Sequence, residues 1–79
     1  MNRTELRNEL IRMDIREDAY EIDQPANESE CYVLKPSSWE VFYAERGAKM
    51  GLRIFQSEQE ACEYLLLRVA TDPSAKKTA

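Results

Sequence analysis

WEVFYAERGAKMGLRIFQSEQEACEYLLL, residues 39–67, sets out in chain order a strand, a glycine-bearing turn, a second strand and a capped helix. Trp39–Ala44 mixes aromatic and aliphatic residues with a period of two, the signature of a strand. The only two glycines of the chain, Gly47 and Gly51, both fall in the following ERGAKMG, where positive φ costs glycine little, so this stretch is read as a turn leading to a strand at Leu52–Phe55. Ser57 then stands where a helix N-cap belongs. Glu60 three residues on is its capping-box partner, and Glu58 sits near the positive end of the helix dipole. Ala61, Cys62, Leu65, Leu66 and Val69 make one apolar helical face, and Asp72-Pro73 ends it.

Working outward, Glu30–Lys35 (ECYVLK) reads as a strand that stops at Pro36, whose missing N–H ends ladder pairing, with Ser37 and Ser38 in a tight turn. Three strands joined by short turns make an antiparallel meander. At the N-terminus, Asn2 with Glu5 forms a capping box for a helix starting at Asn2 or Thr4 and running to about Met13. Leu6, Leu10 and Met13 follow helical spacing, Ile11 widens the stripe, and Ile15 is a last core contact. The expected fold is α+β: an N-terminal helix, a three-stranded antiparallel β-meander and a C-terminal helix, in a single domain over residues 1–72 with a flexible tail at 73–79. Between the first helix and the sheet lies a long connection, in which Tyr20 and Ile22 alternate with charge as a short edge strand would.

The period of two puts Trp39, Val41 and Tyr43 on one face and Glu40, Phe42 and Ala44 on the other, and sets Leu52 and Ile54 opposite Arg53 and Phe55. Neither face is cleanly polar. A second cover is therefore expected for Phe42 and Phe55, and with them Tyr32 or Leu34: a helix on each side, a self-association surface or a partner. Trp39 is read as core.

The chain has 79 residues, 43% apolar and 33% charged, and a net charge of −4 with no histidine. That composition folds, but one small core gives modest stability. Without histidine the commonest general base is missing, and Glu58, Glu60 and Glu63 are more simply a helix N-terminus and its solvated face, so the expectation is a protein that is not an enzyme and carries no cofactor. Net negative charge repels nucleic acid, and Lys35, Arg46, Lys49 and Arg53 are too few near the sheet to track a phosphate backbone. Cys31 and Cys62, with no CxxC and no histidine, lack the ligand count for zinc and read as small buried side chains, a bridge between them being the alternative in an oxidising compartment. MNRTELRNEL alternates charge and leucine where a secretory signal has an apolar run, and no stretch is a membrane span, which points to a cytoplasmic chain.

Charge is unevenly spread. Residues 14–30 hold seven acids and one base, whereas the rest of the chain holds eight acids and ten bases. Such asymmetry steers a cationic protein surface. Asp14, Glu17, Asp18, Glu21 and Asp23 are the candidate contacts in this segment. Glu40, Glu45 and Arg46 add a polar rim around the ERG turn, with Tyr43 supplying apolar contact.

YEID at Tyr20–Asp23, CYVL at Cys31–Leu34, WEVFYAERG at Trp39–Gly47 and GLRIFQSEQEACEYLL at Gly51–Leu66 together resemble a family of small bacterial immunity proteins encoded beside polymorphic toxins of contact-dependent growth inhibition systems. The likeness covers about Tyr20 to Leu67. It implies a cytoplasmic antidote that binds a cognate toxin domain, often a nuclease, and blocks its active site or a surface it needs. The resemblance supplies the role; the contact residues come from charge alone. A nuclease is basic where it holds phosphates, so an acidic stretch suits it as a phosphate mimic. The alternative is a small adaptor whose sheet self-associates, a homodimer being its simplest form.

Overall fold

In the computed structural model, which describes residues 1–22 and 30–77, helix α1 (Arg3–Arg12) precedes strands β1 (Tyr20–Ile22), β2 (Cys31–Lys35), β3 (Glu40–Glu45) and β4 (Ala48–Ile54), and helix α2 (Glu58–Ala70) follows. Single 3-10 turns stand at Glu17–Ala19 and Pro73–Ala75. The strands form one four-stranded sheet in the order β1-β2-β3-β4, with β1 parallel to β2 and the other pairs antiparallel. The expected three-stranded antiparallel meander is thus corrected to a mixed sheet. Its added strand is the Tyr20–Ile22 segment, paired Tyr20 to Tyr32 and Ile22 to Leu34.

Both helices lie on one face. Leu6 and Leu10 of α1 and Ala61, Cys62, Leu65 and Val69 of α2 form one buried cluster with Ile22, Tyr32, Leu34 and Val41. Four successive residues of β2, Cys31 to Leu34, are buried, the pattern of a strand covered on both sides. On the outer face Cys31, Val33, Phe42 and Ala44 make a second, smaller cluster. Cys31 and Cys62 therefore belong to clusters on opposite faces, and both are free thiols.

The helix starts follow from their caps. Asn2 accepts from the Glu5 amide at 2.8 Å while its own amide donates to Glu5 Oε1 at 2.8 Å, closing the box. Ser57 Oγ accepts from the Glu60 amide at 3.2 Å, and the Glu60 carboxylate takes the Ser57 hydroxyl. Ile11, expected to widen the buried stripe, is instead 64% exposed. Residues 73–77, read as a flexible tail, lie against the start of the β1 segment: Ala75 is buried, Arg16 N donates to the Ala75 carbonyl at 2.8 Å and Lys77 N to the Asp14 carbonyl at 2.7 Å.

The turn between β3 and β4 is tighter than the sequence suggested. Only Arg46 (φ 50°) and Gly47 (φ 82°) lie between the strands, and positive φ at both central residues is what a twisted two-residue hairpin needs. Gly51 is not in the turn but within β4, at φ 63°. Val41 pairs with Arg53 and Tyr43 with Met50, so Gly51 and Leu52 together stand opposite Phe42 in a bulge. The extra residue changes the parity of β4: Arg53 faces the helices and lies over the Tyr64 ring at 5.4 Å. Leu52 and Ile54 face outward with Phe42. Phe55, expected to need an outer cover, packs on Tyr64 at 5.1 Å.

Trp39 is half-buried, sits at φ 48° and has the Arg3 guanidinium 5.6 Å from its ring. A bulky residue pays for left-handed φ, whereas glycine does not. Trp39→Ala is expected to cost about 2 kcal/mol, below the ~3–5 of a fully buried tryptophan, and Trp39→Gly about 1 kcal/mol less than alanine because the backbone strain is relieved. Urea midpoints measure both; a glycine variant less stable than the alanine one contradicts the strain.

Candidate functional site

Strand directions decide which charges meet. Because β1 runs with β2 and against β3, the start of β1, the start of β2 and the end of β3 share one end of the sheet. Glu17 and Asp18 precede β1 in the 3-10 turn, Glu30 directly precedes β2, and Glu45 closes β3. All four are exposed. Asp72, just past α2, joins them: its Oδ2 accepts from the Tyr32 hydroxyl at 2.8 Å. Asp14 is exposed nearby at φ 58°.

Cations also reach this end. Arg16 pairs with Asp18 at 3.3 Å and its Nε donates to the Ser74 carbonyl at 3.1 Å, and Arg46, Lys76 and Lys77 are exposed. The Arg16–Asp18 pair is solvent-exposed, with side chains 43% and 71% accessible, and so holds little energy and leaves Asp18 able to exchange partners.

Of the other residues singled out in sequence, Glu21 is half-buried on β1, paired with Val33, and Asp23 lies outside the described residues. Arg46 is exposed in the hairpin. Tyr43 is half-buried and faces the helices, with its ring edge-on to Tyr32 at 4.9 Å. Its hydroxyl pKa is raised, first by burial and then by the negative field of Glu30, Glu45 and Asp72. Glu40 is elsewhere: it sits at the opposite end of β3, on the outer face, where its carboxylate takes the Ser38 hydroxyl and Lys49 Nζ at 3.3 Å. Those partners hold its pKa below the usual range, the Ser38 hydroxyl most of all. Glu40 is a structural acid of the outer face and does not join the acidic end.

Sequence reasoning passed over Glu30 and Asp72 as contacts. Glu30 was counted with its segment, and Asp72 carried only the helix-ending Asp-Pro signal; nothing local places it under Tyr32, forty residues away. Arg16, Glu30, Tyr32, Tyr43 and Asp72 border a hollow of about 10 Å³, room for a single water. Burial, then the negative charges of Glu21 and Asp18, push the Cys31 thiol pKa up, away from the reactive thiolate form. Among the described residues no group of His, Cys, Asp and Glu is placed to hold a metal ion, and no helix is long and apolar enough to cross a membrane. Comparison with known protein families, curated proteins and solved structures finds no match.

The Ser74 hydroxyl, the Tyr32 hydroxyl and the Ser74 amide, in that order, hold the Asp72 carboxyl below its ordinary pKa. A carboxyl depressed in the folded state contributes stability that is complete above its unfolded pKa, about 4, and is lost as pH falls through the folded value. Asp72→Asn is expected to lower stability at pH 7 and to flatten the fall in stability below about pH 4. Urea titrations at stepped pH check this; an unchanged acid limb would show that Asp72 is not linked to folding.

Proposed function

We propose that this protein is an immunity protein, a stoichiometric inhibitor that binds a cognate cationic toxin domain, most simply a nuclease, through the acidic end of its sheet. The observation that carries the reading is the convergence of Glu17, Asp18, Glu30, Glu45 and Asp72 from four separate parts of the chain on one end of the sheet. The sheet, the 3-10 turn and the end of α2 fix the backbone under these carboxylates, so a basic partner orders side chains and not a loop. A surface that holds phosphates is lined with lysine and arginine; an acidic end laid over it displaces the substrate backbone and shields the catalytic groups. No cofactor and no covalent step enter this mechanism.

Attraction between unlike surfaces acts mainly on the encounter rate and weakens as salt shortens the screening length. Glu17, Asp18 and Glu45 are exposed, so their reversal leaves the core intact. The combined Glu17→Lys, Asp18→Lys and Glu45→Lys variant is expected to bind the toxin domain encoded in the adjacent reading frame at least about tenfold more weakly, chiefly through slower association. Surface plasmon resonance measures it beside circular dichroism. Affinity within twofold of the parent, with the fold retained, rejects the acidic end as the binding surface.

A further inference from the structure

The two edges of the sheet are finished differently. β1 has three residues, and Arg7 Nη2 donates to the Ile22 carbonyl at 2.7 Å. β4 has seven residues, every one exposed, and among the described residues it pairs only with β3. A long open edge presents a row of unpaired N–H and C=O groups, which proteins commonly guard with outward-reaching lysines. Here the cations lie on the faces instead. Lys49 is 5.0 Å over the Phe42 ring and bonded to Glu40 on the outer face, and Arg53 lies over Tyr64 on the helix face. At the edge Met50, Leu52 and Ile54 remain 48%, 44% and 68% exposed.

Charge says what fits there. Residues 46–54 carry Arg46, Lys49 and Arg53 and no acid, within a chain whose net charge is −4. We propose that the outer edge of β4 is a strand-addition site for an extended acidic-apolar segment of another protein. Its backbone would continue the ladder along Ala48–Ile54, its carboxylates would meet Arg53 on the helix face, and its apolar side chains would cover Leu52 and Ile54 on the outer face. A second copy fits less well. Antiparallel β4–β4 pairing that sets Leu52 opposite Ile54 places the two Arg53 residues directly opposite each other, where like charges destabilise. A nucleic acid supplies phosphates but no amide ladder. The inference is separate from the reading of the acidic end and survives its failure.

The test uses the full ¹⁵N-labelled chain at low salt with three synthetic heptapeptides: Glu and Val in alternation, the same with Lys for Glu, and the Glu peptide with a central proline. The Glu-Val peptide is expected to shift the amides of residues 48–54 and to saturate, with the lysine and proline peptides at least about tenfold weaker, because one loses charge complementarity and the other a ladder donor. Leu52→Lys with Ile54→Lys, both at exposed positions, is expected to weaken the Glu-Val peptide by a similar factor with the remaining spectrum unchanged. No saturation at millimolar peptide, shifts centred away from 48–54, or equal binding of the lysine peptide overturns the proposal. Equal binding of the proline peptide overturns strand addition, and equal competition by a single-stranded oligonucleotide overturns a protein strand as the ligand. A doubled mass in sedimentation without peptide, abolished by the same double substitution, assigns the edge to a second copy instead.

Discussion

Burial of β2 on both faces, under helices on only one of them, is the constraint on which the rest of the structure depends. On one side Tyr32 and Leu34 cluster with two helices; on the other Cys31 and Val33 lie beside Ala44 and Phe42, their cross-strand neighbours on the same face of the sheet. A single helical layer over a four-stranded sheet leaves one side thin and one strand beyond the cover: α2 packs on β2 and β3, and β4 stays open. Because β2 is held from both sides, the ends of β1 and β3 flanking it are fixed too. Their charges become parts of a surface instead of solvated loops.

Two surfaces of opposite character result. The acidic end collects carboxylates from the first 3-10 turn, the strand ends and the end of α2, Asp18 being paired with Arg16. β4 carries its cations on its two faces and leaves aliphatic groups exposed, within one short segment. The net charge of −4 conceals both. It describes solubility and long-range repulsion of polyanions, while the local fields decide which partner is held.

Local chemistry was legible in the sequence, and register was not. Asn2 with Glu5 and Ser57 with Glu60 are contacts three residues apart, so the helix starts could be read directly. The hairpin at Arg46-Gly47 was legible as a turn, yet its length was overestimated because Gly51 looked like a turn glycine. It is a bulge glycine, and a bulge is a property of two strands together. Arg53 and Phe55 do share the face opposite Leu52 and Ile54, but the bulge turns that face to the helices, so Phe55 packs on Tyr64 and is not grouped with Phe42. Parallel pairing of β1 carries no turn signal, because its partner is reached through a connection and not a hairpin. Ile11 followed helical spacing but stands on the exposed edge of α1, since spacing gives a face and not its width. Tyr43 and Glu40 looked like one rim in sequence. Opposite parity and opposite ends of β3 separate them, one against the helices and one paired with Lys49.

Chemical-shift mapping of the ¹⁵N-labelled chain titrated with the toxin domain proposed as its partner addresses the acidic end most directly. The account predicts that the largest changes fall on Glu17, Asp18, Glu30, Glu45 and the amides beside Asp72. Changes confined to the outer faces of α1 and α2, with those residues unmoved, would contradict it.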